Sequence, residues 1–259
     1  MTRLLSGVGL AAAALAAVRF LPLPGLLVIA CGVAALAAHE YLGIVQRHGR
    51  TPAARPLLVL AVFSCWWFSD PGRTGILPLL LVGLGWVAVE TLFQGLAVDE
   101  AAARFLAMWY IGMPLGMLVA VQAVGGHLAT VLLMATVVVS DSAQFYSGRR
   151  FGRRPLAPAI SPKKTVEGAL GGLVAATVFI TVAGAWVFPL ARRTSLALLG
   201  VAIVVLGICG DLFESRLKRT AGVKDSSALI PGHGGVLDRI DALLFATPAY
   251  YLYLVAWSD

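Results

Sequence analysis

Residues 211 to 241 read DLFESRLKRTAGVKDSSALIPGHGGVLDRID, a concentration of costly side chains in an otherwise apolar chain. On a helix, Asp211, Glu214, Ser215 and Lys218 recur at i, i+3, i+4 and i+7 and share one face. Asp238 and Asp241 share a face in the same way. An ionised carboxylate near hydrocarbon is expensive unless it pairs, lines a wet cavity or holds a cation. Two acid-bearing faces that flank one loop therefore point to a divalent metal. Hard Mg²⁺ takes carboxylate oxygens together with water and nucleotide phosphate oxygens, and Asp211 and Asp238 are the first ligands expected. If these acids only neutralised Lys218, Arg219 and Arg239, the intervening Pro231-Gly232-His233-Gly234-Gly235 would have no explanation. Such a turn lets backbone approach a ligand closely. Its amides, with the N-terminal end of the following helix, are expected to receive phosphate oxygens. His233, in the middle, is a candidate phosphate contact or proton donor.

A second cluster runs from Asp141 to Gly168: DSAQFYSGRRFGRRPLAPAISPKKTVEG. Asp141 is an acid deep in an apolar span and carries the same functional implication. Arg149, Arg150, Arg153 and Arg154 read equally well as a solvated, headgroup-facing topology signal. A Ser161-Pro162 turn follows, and Lys163, Lys164 and Thr165 lead directly into the next helix, where point charges and free amides suit a phosphate.

Positioning these residues falls to a membrane domain. Of 259 residues, 59% are hydrophobic and 13% charged, and the mean hydropathy is +0.87. That leaves too little polar surface for a soluble globule. Apolar windows, each near the roughly 20 residues that a bilayer requires, fall close to 4–19, 24–43, 56–69, 75–95, 101–122, 128–147, 167–189, 195–217 and 236–257. The expected fold is all-α: a polytopic integral membrane protein of about nine transmembrane helices in a single domain, 1–259. Residues 1–125 are mainly scaffold and 128–259 carry the catalytic motifs. The opening stretch is read as an uncleaved first helix, since further spans follow at once.

With the N-terminus in the cytosol, all of the 20 Lys and Arg except Arg19, Arg73, Arg192 and Arg193 lie on that side. This positive-inside bias places the connectors 148–166 and 216–239, and hence the site, at the cytosolic face. The net charge of +7 is thus topological, and no nucleic-acid partner is expected. Cys31, Cys65 and Cys209 lie singly in apolar segments and read as small buried hydrophobes. Gly112 with Gly116, and Gly168 with Gly172, have the spacing of close helix packing in lipid. His39, His48 and His127 are left structural. Glu40 and Glu90, paired with His39 or a neighbouring polar group, are left outside the site.

The stretch from Ser215 to Asp241 resembles the phosphatidate cytidylyltransferases, or CDP-diacylglycerol synthases. Their pattern S-x-x-K-R, K-D, P-G-H-G-G and L-D-R-x-D is met by Ser215, Lys218, Arg219, Lys224, Asp225, Pro231 to Gly235, Asp238, Arg239 and Asp241. Gly210-Asp211, and Asp141 and Gly148 with LAPAISPKKTVEG, look like the family's other conserved region. This chain departs from it at Ala143, Gln144, Phe145 and Val166. The resemblance implies Mg²⁺-dependent transfer of a cytidylyl group from CTP to phosphatidate, giving CDP-diacylglycerol and pyrophosphate, in the inner (cytoplasmic) membrane. It also implies a homodimer and, in similar members, a second cation such as K⁺. Carried onto this sequence, Asp211 and Asp238 hold the metal with Asp241 and Asp141 in support. Lys218, Arg219, Lys224 and Arg239 neutralise the phosphates, and Ser215 and His233 hydrogen-bond them. Ser161, Lys163, Lys164, Thr165, Gly234 and Gly235 complete the substrate contacts.

Two other classes fit less well. An ion-coupled transporter places broken helices and acids in corresponding positions of two related halves, whereas here they crowd into the C-terminal half. A lipid-binding scaffold accounts for the arginines but not for the acids.

Overall fold

In hydrocarbon every backbone amide and carbonyl must be paired within the chain, so long apolar segments become helices. The computed structural model follows this rule, and it describes residues 2–46, 54–73, 75–95, 98–227, 229 and 234–258. In chain order the elements are α1 (Thr2–Phe20), α2 (Leu23–Gln46), α3 (Ala54–Phe68), α4 (Leu77–Gln94) and α5 (Val98–Ala107). A π-helical turn, Met108–Gly112, leads into α6 (Met113–Phe151). Strands β1 (Pro155–Ala157) and β2 (Ser161–Thr165) precede α7 (Val166–Val187), α8 (Arg193–Thr220) and α9 (Leu237–Ser258).

Four of the described helices are long and apolar enough to cross a bilayer: Leu23–Gln46, Glu100–Phe151, Val166–Val187 and Arg193–Thr220. This is fewer than the nine or so spans expected. Gly9–Phe20, Pro56–Phe68 and Leu77–Phe93 are shorter apolar helices, and α9 has Asp238, Arg239 and Asp241 at its start. The windows expected at 101–122 and 128–147 join into one stretch. It is interrupted at Gly126, whose φ of 74° is closed to most side chains.

Helices α6, α7, α8 and α9 pack on one another, while α2 and α3 pack on the first half of α6. One apolar core, with Ala34, Tyr41, Leu57, Ile111 and Leu115, spans α2, α3 and the π turn and reaches α9 through Leu237 and Leu244. A second, with Leu133, Ile180, Ile203 and Tyr250, fills the space among α6 to α9. The small residues do the close packing anticipated for them. A Cβ at Gly172 would come within 3.0 Å of the Ser140 carbonyl oxygen, and one at Gly168 within 2.9 Å of that of Gln144. A Cβ at Gly116 would lie 2.9 Å from the Phe68 Cβ and strike the Cys65 carbonyl. We expect Gly116→Ala to destabilise the α3–α6 contact by about 1–3 kcal/mol, the usual cost of overpacking. An unchanged midpoint of thermal unfolding in detergent would show that the helices separate freely there.

Two expectations change and a third is narrowed. The connector before α7 is not a simple loop: β1 and β2 pair antiparallel, with Pro155 opposite Thr165 and Ala157 opposite Ser161. Cys65 is buried but Cys209 is exposed on α8, as a small apolar residue against lipid can be. Of the two partners open to Glu90, His39 or another polar group, it takes the second: Arg104, which is 1% exposed.

Candidate active site

Ends of these elements line an open cavity of about 590 Å³. Helix α6 contributes Asp141, β2 contributes Lys163 and Lys164, α8 contributes Asp211, Glu214 and Lys218, and α9 contributes Asp238, Arg239 and Asp241. Both clusters singled out in the sequence therefore meet, although about 70 residues separate Asp141 from Asp211 in the chain. The helical spacing of 211, 214 and 218 puts all three into the same wall, as their shared face requires. Asp225, from the segment after α8, also lines it.

Charges here are paired rather than bare. Lys218, only 8% exposed, donates to Glu214 Oε2 at 2.9 Å and to Asp238 Oδ1 at 2.5 Å. Glu214 is fully buried, and its Oε1 has no partner among the described residues. Lys164 reaches across from β2 to Asp211. The Ser215 hydroxyl donates to the other Asp211 oxygen at 3.3 Å. Asp141 accepts from Gln144 at 3.3 Å, and Asp241 accepts from the Ala242 amide at 2.7 Å.

The start of α9 departs from the phosphate cradle expected of it. Asp238 Oδ2 accepts from the Ser226 amide at 3.0 Å, the Ser226 hydroxyl at 2.9 Å and the Gly235 amide at 2.8 Å. The next two amides, Val236 and Leu237, donate to Glu40 at 2.9 and 2.8 Å. These donors are taken up by the protein's own carboxylates, so the Gly235 amide and the first amides of α9 are not open to a ligand phosphate. Gly234 has a φ of 79°, and a Cβ there would lie 2.6 Å from Asp238 Oδ2. Its glycine character serves the turn and the approach of Asp238. His233, with Pro231 and Gly232, lies outside the described residues.

Thr165 also has a structural duty. It is the N-cap of α7, with its hydroxyl accepting from the Gly168 amide at 3.1 Å, while the side chain borders the cavity. Arg219 donates to the Val223 carbonyl at 3.2 Å, and Lys224 is exposed. Neither lines the cavity, and nor do Ser161, Ser215, Gly234 or Gly235. Sequence reading put Glu214 on the acid-bearing face without giving it a role, and left Glu40 outside the site. The signal for both was an acid inside an apolar span, which is rarely placed there without a partner.

Among the described residues, no three His, Cys, Asp or Glu side chains converge tightly enough to hold a metal ion alone. Asp141, Asp211 and Asp241 nevertheless line the same cavity. Their oxygens are the hard donors that a divalent ion shares with water and nucleotide phosphates. Asp238 suits that role less, because its Oδ2 alone takes three protein donors and its Oδ1 the buried Lys218, against one donor on each oxygen of Asp211. A model described as the cytidylyltransferase family matches residues 1–257. The chain belongs to the cytidylyltransferase family.

Within that family, the chain is 36% identical over 243 residues to a Pseudomonas aeruginosa protein named phosphatidate cytidylyltransferase, covering 87% of each chain. A Haemophilus influenzae protein of the same name is 46% identical over 50% of this chain and 48% of its own. An uncharacterized Escherichia coli protein, YnbB, is 42% identical over 50% of this chain and 43% of its own. The chain thus aligns with about half the length of these last two relatives.

Proposed function

We propose that this cytidylyltransferase moves the cytidylyl group of CTP onto phosphatidate at the cytosolic face of the inner membrane, giving CDP-diacylglycerol and pyrophosphate. The observation that carries this reading is the single cavity in which acids of α6, α8 and α9 face cations of β2 and α9. The names of the Pseudomonas aeruginosa and Haemophilus influenzae relatives supply the acceptor lipid. In the reaction a phosphate oxygen of the lipid attacks the α-phosphorus of CTP. A new P–O bond forms, the bond to the bridging oxygen of the β-phosphate breaks, and pyrophosphate leaves. The attacking phosphate is already anionic near neutral pH, so the protein supplies alignment and charge neutralisation rather than a strong base.

Lys163, Lys164 and Arg239 are assigned to the phosphates. Lys164 is paired with Asp211, and an incoming triphosphate competes for that ammonium and leaves the carboxylate for a cation. Asp211, Asp141 and Asp241 would hold Mg²⁺, which when bound neutralises phosphate charge. Asp238, Lys218 and Glu214 form the buried frame behind them. The helices taken together form about nine spans, with residues 1–125 as scaffold and a homodimer as the functional unit. Purified protein in detergent with CTP, phosphatidate and Mg²⁺ is expected to release pyrophosphate and form a CDP-lipid. Chelation should abolish both, and Mg²⁺ should restore them. Cation-driven uptake into liposomes with no CDP-lipid formed would favour a transporter instead.

A further inference from the structure

Glu40 lies near the end of α2, 5% exposed, and does not line the cavity. Its Oε1 accepts from the Ser227 hydroxyl at 2.7 Å and the Val236 amide at 2.9 Å. Its Oε2 accepts from the Leu237 amide at 2.8 Å and lies 2.9 Å from the Ser226 hydroxyl, whose one hydrogen it shares with Asp238 Oδ2. Two donors come from each side of residues 228–233. The side chain is thus met by donors on both oxygens, an arrangement that leaves the amide of a glutamine with a hydrogen set against a donor.

The Ser226 hydroxyl touches both Glu40 Oε2 and Asp238 Oδ2 at 2.9 Å. It therefore links the α2 acid to the one acid of the cavity that is bonded to Lys218 and to the Gly235 amide. A Cβ on Gly235 would strike the Glu40 carboxylate and the Ser226 hydroxyl. That glycine is needed for the approach of Glu40, not of a ligand. Two features first read as phosphate chemistry, Gly235 and the amides of Val236 and Leu237, are thereby explained by one residue 196 positions before Val236.

We propose that Glu40 is a positioning residue for the reaction: it fixes both flanks of the 228–233 segment and the first turn of α9, and so sets the placement of Asp238, Arg239 and Asp241. The proposal rests on the cytidylyltransferase reading of the cavity. The test uses the full chain in detergent, with Glu40→Gln, Ser227→Ala and the double variant. Steady-state kinetics are combined with amide hydrogen exchange over residues 223–241, with α7 as the internal reference.

Glu40→Gln is expected to lower kcat/KM for CTP by about 100-fold, the scale of a misplacement near 1 Å. It should also speed exchange at Val236 and Leu237 while α7 exchanges as before. Ser227→Ala should have a smaller effect that is not additive with Glu40→Gln, as for groups in one hydrogen-bonded unit. Wild-type exchange at 236 and 237 in Glu40→Gln would overturn the proposal. So would acceleration spread evenly over all helices, which marks a merely structural acid. If the wild-type protein forms no CDP-lipid at all, the reading of the cavity fails, and the exchange comparison still decides whether Glu40 orders this segment.

Discussion

Asp211→Asn is expected to lower turnover by roughly 10²- to 10³-fold, the loss typical when one preorganised electrostatic contact to a reacting group is removed, while the protein still folds. Asn keeps the shape of the side chain and can accept from Ser215, whose hydroxyl lies 3.3 Å away. It removes the negative charge that faces Lys164. Two effects then act together. A divalent ion held as proposed would lose a hard anionic donor, and Lys164 loses its partner in the cavity wall. Pyrophosphate release at saturating CTP, measured across a Mg²⁺ titration, should show both a lower plateau and a higher Mg²⁺ requirement. Because the Asp211 side chain is about a third exposed (34%), its neutralisation should leave the thermal midpoint nearly unchanged. Near-normal turnover would remove Asp211 from the site.

Lys218→Met should act on folding first. The ammonium is the bond partner of both Glu214 Oε2 and Asp238 Oδ1, and Glu214 is fully buried. Met replaces the stem of the side chain but not its charge, leaving two carboxylates together in a low-dielectric frame. Breaking a buried ion pair by deleting one partner costs about 3–5 kcal/mol, enough to exhaust much of the stability of an ordinary domain. The expected result is a sharply lower yield of monodisperse protein and a depressed unfolding midpoint. Adding Glu214→Gln, which removes one of the stranded charges, should restore part of that stability. If Lys218→Met alone unfolds at the wild-type midpoint, the frame tolerates bare charge and Lys218 belongs to the substrate rather than to the scaffold.

The helical face of Asp211, Glu214 and Lys218 was legible because a 3.6-residue period needs only local sequence. The break between the fifth and sixth expected spans was legible at Gly125-Gly126, but not that the two would read as one helical stretch to Phe151. The hairpin was hidden. Ser161 to Thr165 contains a proline and two lysines with no alternation of apolar residues, and its pairing depends on partners at 155–157. The α9 amides were misread for a different reason. Glycines beside a helix start do suit phosphate, yet whether the amides are free depends on where Glu40 and Asp238 fall, and that is settled only by the packing of α2 against the C-terminal half.

The bond from the Leu237 amide to Glu40 spans 197 residues. During synthesis the acid is made long before any of its partners, and so distant a contact closes late. A nascent chain that stops short of the ninth helix can offer that acid the Ser226 and Ser227 hydroxyls but not the Leu237 amide. The first turn of the last helix, and the acids it carries, is thus tied to a side chain synthesised near the opposite end of the polypeptide.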